Sequence, residues 1–352
     1  MNIDHHTLEL LTPCFCGGAN PHETAEIRAP SIRGQLRWWF RTLGGFDSLD
    51  TDLRTQEASI FGSTAEGAGE ASKLLVRVSP LVSQTPPRDA DQMETQIPSD
   101  KGYLLFPLRS NLAKNEYKGR GVLMGGSFEL TIQWRGPSER WQDIQALCSV
   151  LGHLGSLGFR SRRGFGALSF SGKSPPLCDA LTRFRGSKEA IVIQKLSPAR
   201  STDDALNQLG KWLKGWRSHG RSQDHSNAGN DQPPRNSGFA YAKADHDAGY
   251  GINRDGETYR AALGLPIVQR CGNTTHNWEF GTNGDRGRFA SPVILRPYRT
   301  SKGTIEAWII FVDAHAWTDD RPVYLDGTPR RVSTALYDAM RNDTKLTMVY
   351  PE

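Results

Sequence analysis

No stretch of the 352-residue chain nears the ~18 consecutive apolar residues of a membrane span; its best run is the short Trp308–Val312. Nothing therefore points to a membrane partner. Cysteine is sparse and odd in number, five in all (Cys14, Cys16, Cys148, Cys178, Cys271). That excludes a disulfide framework and leads us to expect a reducing cytoplasm. Residues Met1–Leu11 have no basic region ahead of the apolar one and no small-residue cleavage site, so no secretory signal is expected. Acidic residues are missing from four windows, 27–46, 144–178, 205–223 and 286–305, which hold 17 of the 43 Lys and Arg. The formal charge of +5 is thus mildly acidic material carrying four basic segments, the pattern of a polyanion-binding surface. Gly172-Lys173-Ser174 lacks the upstream glycine of a P-loop, since position 167 is alanine, and Pro175-Pro176 block the helix that must follow. Nucleotide hydrolysis is not expected there.

A hydrophobic share of 37% supports packed cores, and the length suggests two domains. To residue 170 the pattern predicts β-α-β-β-α-β: strands at 8–15, 73–79, 128–134 and 167–170, helices at 31–43 and 139–157. Ser31 is the expected N-cap of the first helix. That order is the ferredoxin-like one, also used by RNA-recognition modules. The fold class expected is α+β, two ferredoxin-like (RRM-like) domains with long loop insertions at 82–101 and 217–238. We place the domains at 1–172 and 173–352. In the second half strands are expected at 191–196, 265–268, 293–298 and 305–312, with helices at 202–216 and 332–341.

Two segments carry the chemistry. In RGQLRWWFR (Arg33–Arg41), Arg33, Arg37 and Arg41 fall at i, i+4 and i+8, one stripe of a helix, while Leu36, Trp39, Phe40 and Leu43 fall largely on the other side. No acid nearby in the sequence pairs with the stripe, so it suits phosphates; the plainer reading is a helix whose arginines meet acids elsewhere in the fold. Trp38 at the stripe's edge is placed either to stack on a base or to pack under a neighbour. In GFRSRRGFG (Gly158–Gly166), three glycines and Arg160, Arg162 and Arg163 form a turn whose backbone N–H groups and guanidiniums can cradle phosphate. The plainer reading is a basic helix C-cap. Lys211 and Lys214, in the window 205–223, are candidates from charge alone.

No two of the nine histidines stand at a spacing that argues for acid–base work. His153 reads as structural, and His22 is the residue to test if the chain cleaves RNA. Cys14, Cys16 and His22 fall short of a closed zinc site and read instead as buried thiols. The acidic stretch Asp245, Asp247, Asp255 reads as a solvated loop or a protein contact rather than a cation site. No catalytic residue, metal or cofactor is expected.

The run LTPCFCGGAN (Leu11–Asn20) followed by AEIRAPSIRGQLRWWFR (Ala25–Arg41) resembles the RAMP superfamily of CRISPR-associated proteins, and the Gly158–Gly166 turn looks like that superfamily's glycine-rich loop. More narrowly, EASIFG (Glu57–Gly62), GRFASP (Gly287–Pro292) and YRAALGLP (Tyr259–Pro266) resemble the first RAMP subunit of the type III-B (Cmr) effector complex. The resemblance implies two ferredoxin-like folds and a non-catalytic place in a multi-subunit ribonucleoprotein of antiviral defence, near the guide RNA 3′ end and the target RNA 5′ end. It implies as partners the CRISPR guide RNA, the target RNA and other RAMP subunits. Carried over by position, it makes Arg28, Arg33, Arg37, Arg41, Arg160, Arg162, Arg163, Gly164 and Phe165 candidate RNA contacts; Gly166 of the same turn and Arg288 of the GRFASP match join them as candidates. Two other classes remain: a metal-independent endoribonuclease processing CRISPR RNA, and a structural subunit that touches protein only.

Overall fold

The computed structural model describes residues 1–18, 20, 24–64, 69–83, 88–89, 99–105, 121–172, 175–217, 237–252, 256–271, 273–281, 288–313 and 323–351. The chain divides into two compact units. The first comprises Met1–Leu209, Leu295–Ile310 and Met348–Glu352; the second comprises Gly210–Ile294 and Phe311–Thr347. The boundary expected at residue 172 falls inside the first unit. Among the described residues no helix is long and apolar enough to cross a membrane.

One sheet is built from β1 (Asn2–Leu10), β2 (Leu74–Val78), β3 (Gly126–Trp134) and β4 (Leu168–Phe170), in the order β2-β3-β1-β4. β1 runs antiparallel to both β3 and β4, and β2 antiparallel to β3. The alternation read in the sequence places Phe128, Leu130, Ile132 and Trp134 in the core. β1 lies earlier than the strand expected at 8–15. Its residues 2–7 alternate between intermediate and exposed, so its strand state comes from nine paired positions with β3 rather than from an apolar face. Residues beyond Leu10 instead make single bridges, Cys14 to Leu123 and Phe15 to Phe159.

A second sheet takes β5 (Ile191–Lys195), β8 (Val293–Arg299), β9 (Ile305–Val312) and β12 (Thr347–Tyr350), in the order β8-β9-β5-β12. Both sheets thus place their first and third strands centrally and their second and fourth at the edges. A third sheet holds β6 (Ile267–Cys271), β7 (Thr274–Phe280), β10 (Val323–Leu325) and β11 (Thr328–Arg330), in the order β11-β10-β7-β6.

Helix α1 (Ala29–Thr42) packs on α2 (Leu53–Phe61), α3 (Trp141–Leu154) and β2. It starts two residues before the expected N-cap: Arg28 is the extended residue at its head, and Pro30 sits in its first turn, where a missing N–H costs nothing. Helix α4 (Thr202–Arg217) lies where the periodicity predicts it. Helices α2 and α5 (Phe239–Gly249) are absent from the sequence reading, and α6 (Ala335–Arg341) is shorter than expected. A short helix, Ser99–Leu105, starts at the end of the first expected insertion. Most of the two expected insertions, together with His22, Arg221, Asp255, Arg286 and Gly287, lies outside the described residues.

Candidate nucleic-acid interface

Helix α1 buries Ile32, Leu36, Trp39 and Phe40, each worth about 2 kcal/mol of transfer from water. Phe40 meets Phe46 and Phe61 edge-on at 5.1 and 5.9 Å. That fixes the opposite, arginine-bearing side outward. The arginines are not unpartnered: as in the plainer reading, Arg37 and Arg41 meet an acid from elsewhere in the fold. Arg37 donates through Nε to Glu57 Oε1, and Arg41 donates through Nε and Nη2 to both Glu57 oxygens. Arg33 donates to the Phe61 carbonyl and lies 5.9 Å from that ring's centroid. Helix α2 therefore supplies every anchor. Asp52 caps it, accepting from the Arg54 and Thr55 N–H groups at 2.9 and 3.1 Å.

Two guanidiniums share one carboxylate and a third lies beside them on a carbonyl, which leaves a local surplus of positive charge. The Glu57 side chain is 9% exposed, those of Arg37 and Arg41 39% and 53%. Burial pushes the Glu57 carboxyl up, but hydrogen bonds from Arg41 and Arg37 outweigh it and hold the group below its ordinary value. Arg28, at the head of the helix, is exposed and 3.7 Å from Glu26.

The glycine–arginine turn adopts the strained geometry its composition suggested. Gly158, Arg160, Gly164 and Gly166 all have positive φ (77°, 64°, 89° and 66°). At Gly166 a Cβ would lie 2.0 Å from the Leu157 carbonyl oxygen, so only glycine fits. Not every part of the turn faces a ligand. The N–H groups of Phe159, Arg163 and Gly166 already bond to Phe15, Arg160 and Pro13 carbonyls at 2.8–2.9 Å, so those three are unavailable to phosphate. Phe165 is 1% exposed and packs edge-on to Phe15 at 5.5 Å; it anchors the turn and is out of reach of a base. Arg163 is likewise buried and bonds to the Arg162 carbonyl at 3.1 Å. Arg160 Nε donates to the Leu104 carbonyl at 2.6 Å.

Arg162 joins the two segments. Its guanidinium lies 4.5 Å from the Trp38 ring centroid, a cation–π contact between the turn and α1. Burial pulls its pKa down to about 10, still charged at neutral pH. The fold thus brings Arg33, Arg37, Trp38, Arg41 and Arg162 into one connected group. Lys211 and Lys214 are exposed on α4, whose other face buries Trp212 and Trp216. Both indoles donate to Asp343 Oδ2, at 2.9 and 3.0 Å. Lys211, Lys214 and the exposed Arg288 belong to the second compact unit, the others to the first.

Two residues that shape the candidate site escaped the sequence reading. Glu57 stood inside a quoted motif yet was not matched with the stripe. Arg296, counted as part of a basic window, is fully buried. It donates to the Gly155 carbonyl at 2.9 Å and to the Leu168 carbonyl, clasping the two ends of the glycine turn, and burial pulls its pKa down to about 9. An arginine inside the apolar run Val293–Tyr298 was the available signal. Its neighbour Arg299 pairs with Glu9. The 286–305 window is therefore partly internal structure rather than footprint.

The remaining candidates are structural. His153 is buried between the Tyr298 hydroxyl (3.0 Å) and the Pro175 carbonyl (2.8 Å), as expected. Cys14 and Cys16 are buried thiols. Asp245 is not in a solvated loop: it lies 1% exposed on α5. It accepts from Thr258 Oγ1, the N–H groups of Tyr259 and Arg260, and Arg260 Nε, at 2.8–3.0 Å.

Residues 7–169 match the RAMP superfamily model. The CRISPR system Cmr subunit Cmr1-1 of Pyrococcus furiosus is 34% identical over 171 residues, which are 46% of this chain and 43% of that protein. Cmr1-2 of the same organism is 29% identical over 175 residues, 46% of this chain and 91% of the relative. The chain thus aligns with less than half of the first of these relatives. The crystal structure of Cmr1 from Pyrococcus furiosus in its apo form overlays with a TM-score of 0.54 at 21% identity, covering 89% of this chain and 88% of that one, a likeness of fold.

Proposed function

We propose, from the match of residues 7–169 to the RAMP superfamily model, that the protein is a non-catalytic RNA-binding and assembly subunit of a type III-B CRISPR RNA-guided effector complex. The guide RNA, the target RNA and other RAMP subunits are its partners, and its place is near the guide RNA 3′ end and the target RNA 5′ end. We also assign both central sheets to ferredoxin-like units; the shared strand order supports this, since helix-linked strands are separated by a third, as in a split βαβ unit.

The observation that carries the RNA reading is the junction of α1 and the glycine turn. Two α1 guanidiniums meet one carboxylate, a third sits on the Phe61 carbonyl, and Arg162 lies over Trp38. Surplus cations on partly exposed side chains bind phosphates by releasing counterions, without regard to base sequence. No acid–base role is assigned. His153 is held neutral by burial, and His276 Nδ1 is tied to Asp326 at 2.6 Å.

The test is charge reversal, Arg37→Glu with Arg162→Glu. Binding to several unrelated single-stranded RNAs, read by fluorescence anisotropy, is expected to weaken at least tenfold for all of them, with a salt dependence shallower by roughly one to two. Unchanged binding overturns the site. Cleavage of repeat RNA in EDTA by the wild type, lost in His22→Ala, overturns the non-catalytic reading.

A further inference from the structure

The carboxylate at the centre of the arginine stripe is open to two opposite readings. As a counter-charge, Glu57 lowers the local potential and repels phosphate. As a mechanical support, it fixes two long side chains before RNA arrives. The geometry favours the second. Glu57 is nearly buried on a capped helix, so its own position is set by α2 and not by its partners. Both its oxygens are used. Arg41 is gripped as a fork through Nε and Nη2, while Arg37 is held through Nε only. Among the described residues, Nη1 of Arg41 and both terminal nitrogens of Arg37 make no further bond, and both side chains remain partly exposed. A guanidinium held by its inner edge presents its outer edge in one orientation, the arrangement that suits phosphate oxygens.

We infer that Glu57 is a positioning residue, which orients Arg37 and Arg41 for RNA phosphates and lowers the ordering cost of binding. The inference rests on reading α1 as an RNA-binding helix. An unrestrained arginine loses its rotamer freedom when it binds, and one already held by Glu57 has lost it on folding. The same logic explains why the EASIFG motif accompanies the arginine motif: Glu57 and Phe61 are the two anchors of the stripe.

Two substitutions separate support from counter-charge. Glu57→Gln removes the charge and keeps the shape; Glu57→Asp keeps the charge and shortens the reach. The full chain is used, with RNA affinity measured across a salt series and melting temperature recorded beside it. Positioning predicts roughly three- to tenfold weaker RNA binding in both variants, even though Glu57→Gln makes the surface more positive. A counter-charge role predicts tighter binding with a steeper salt dependence in Glu57→Gln and no change in Glu57→Asp; that result, or no change in either, overturns the inference. If Glu57→Gln melts lower than wild type, Glu57→Asp alone decides, by the same criterion. If Arg37→Glu with Arg162→Glu leaves binding intact, the RNA reading of α1 fails first, whatever Glu57 does.

Discussion

Glu57 in the first compact unit and Asp245 in the second both hold arginine, and the two arrangements differ in balance. Asp245 is buried with one guanidinium, that of Arg260, and with three further donors from Thr258, Tyr259 and Arg260. Arg260 continues to Gln269 at 2.7 Å, and Gln269 receives the Trp278 indole N–H at 2.9 Å and donates back to the Asp245 carbonyl at 3.1 Å. Every charge there is matched and the network closes on itself. Around Glu57 the count is uneven: one carboxylate, two guanidiniums bound to it, and a third beside them on Phe61. Unmatched charge cannot be buried cheaply. It stays at the surface, where a polyanion can complete it. Balance marks a structural carboxylate, and surplus marks the one we propose for binding.

Truncation is the most forceful way to break this comparison. Asp245→Ala leaves the Arg260 guanidinium and its neighbouring N–H groups unsatisfied in the interior, at a cost of about 3–5 kcal/mol. Urea denaturation is expected to show that loss. Glu57→Ala is expected to cost no more than about 1 kcal/mol, because the arginines it releases are half-exposed and screened by water. Equal costs at the two sites would dissolve the distinction.

Trp38→Ala sharpens the surplus side. It removes the ring beneath Arg162 and is expected to weaken RNA binding by roughly two- to fivefold, in line with a partly exposed cation–π contact. The melting temperature should change little. A loss confined to particular RNA sequences would mean that Trp38 reads a base.

The smallest effect concerns a buried group that avoids the imbalance by staying neutral. Burial holds the His153 pKa below its ordinary value of 6.5, with Arg296 nearby acting in the same direction. The unfolded chain then binds the proton more readily than the folded one. Stability from neutral His153 is complete above pH 6.5 and declines as pH falls from there toward the lowered folded value. Thermal melts between pH 7.5 and 5.5 are expected to show that decline, and a flatter profile in His153→Gln.

Much of the secondary structure was legible because its signals are local. The alternation of Phe128 to Trp134, the 3.6-residue period of Thr202–Arg217 and the run Ile305–Val312 each announce their own element. What escaped was non-local. β1 is a strand because β3 pairs with it along its whole length. Asp245 looked like loop because a polar helix pattern, FAYAKADHDAG, hides the bonds made thirteen to fifteen residues away.

The candidate site divides the same way. The sequence by itself determined that three arginines share a helix face and that the turn needs glycine, since spacing and positive φ are properties of short segments. Tertiary structure decided which charges are available. It spent Phe165, Arg163 and Arg296 on holding the turn, set Arg162 against Trp38, and brought Glu57 from α2 to the middle of the stripe. Electrostatic pairing acts over a few ångströms of space and is indifferent to separation along the chain, so only the folded chain shows which arginines are matched.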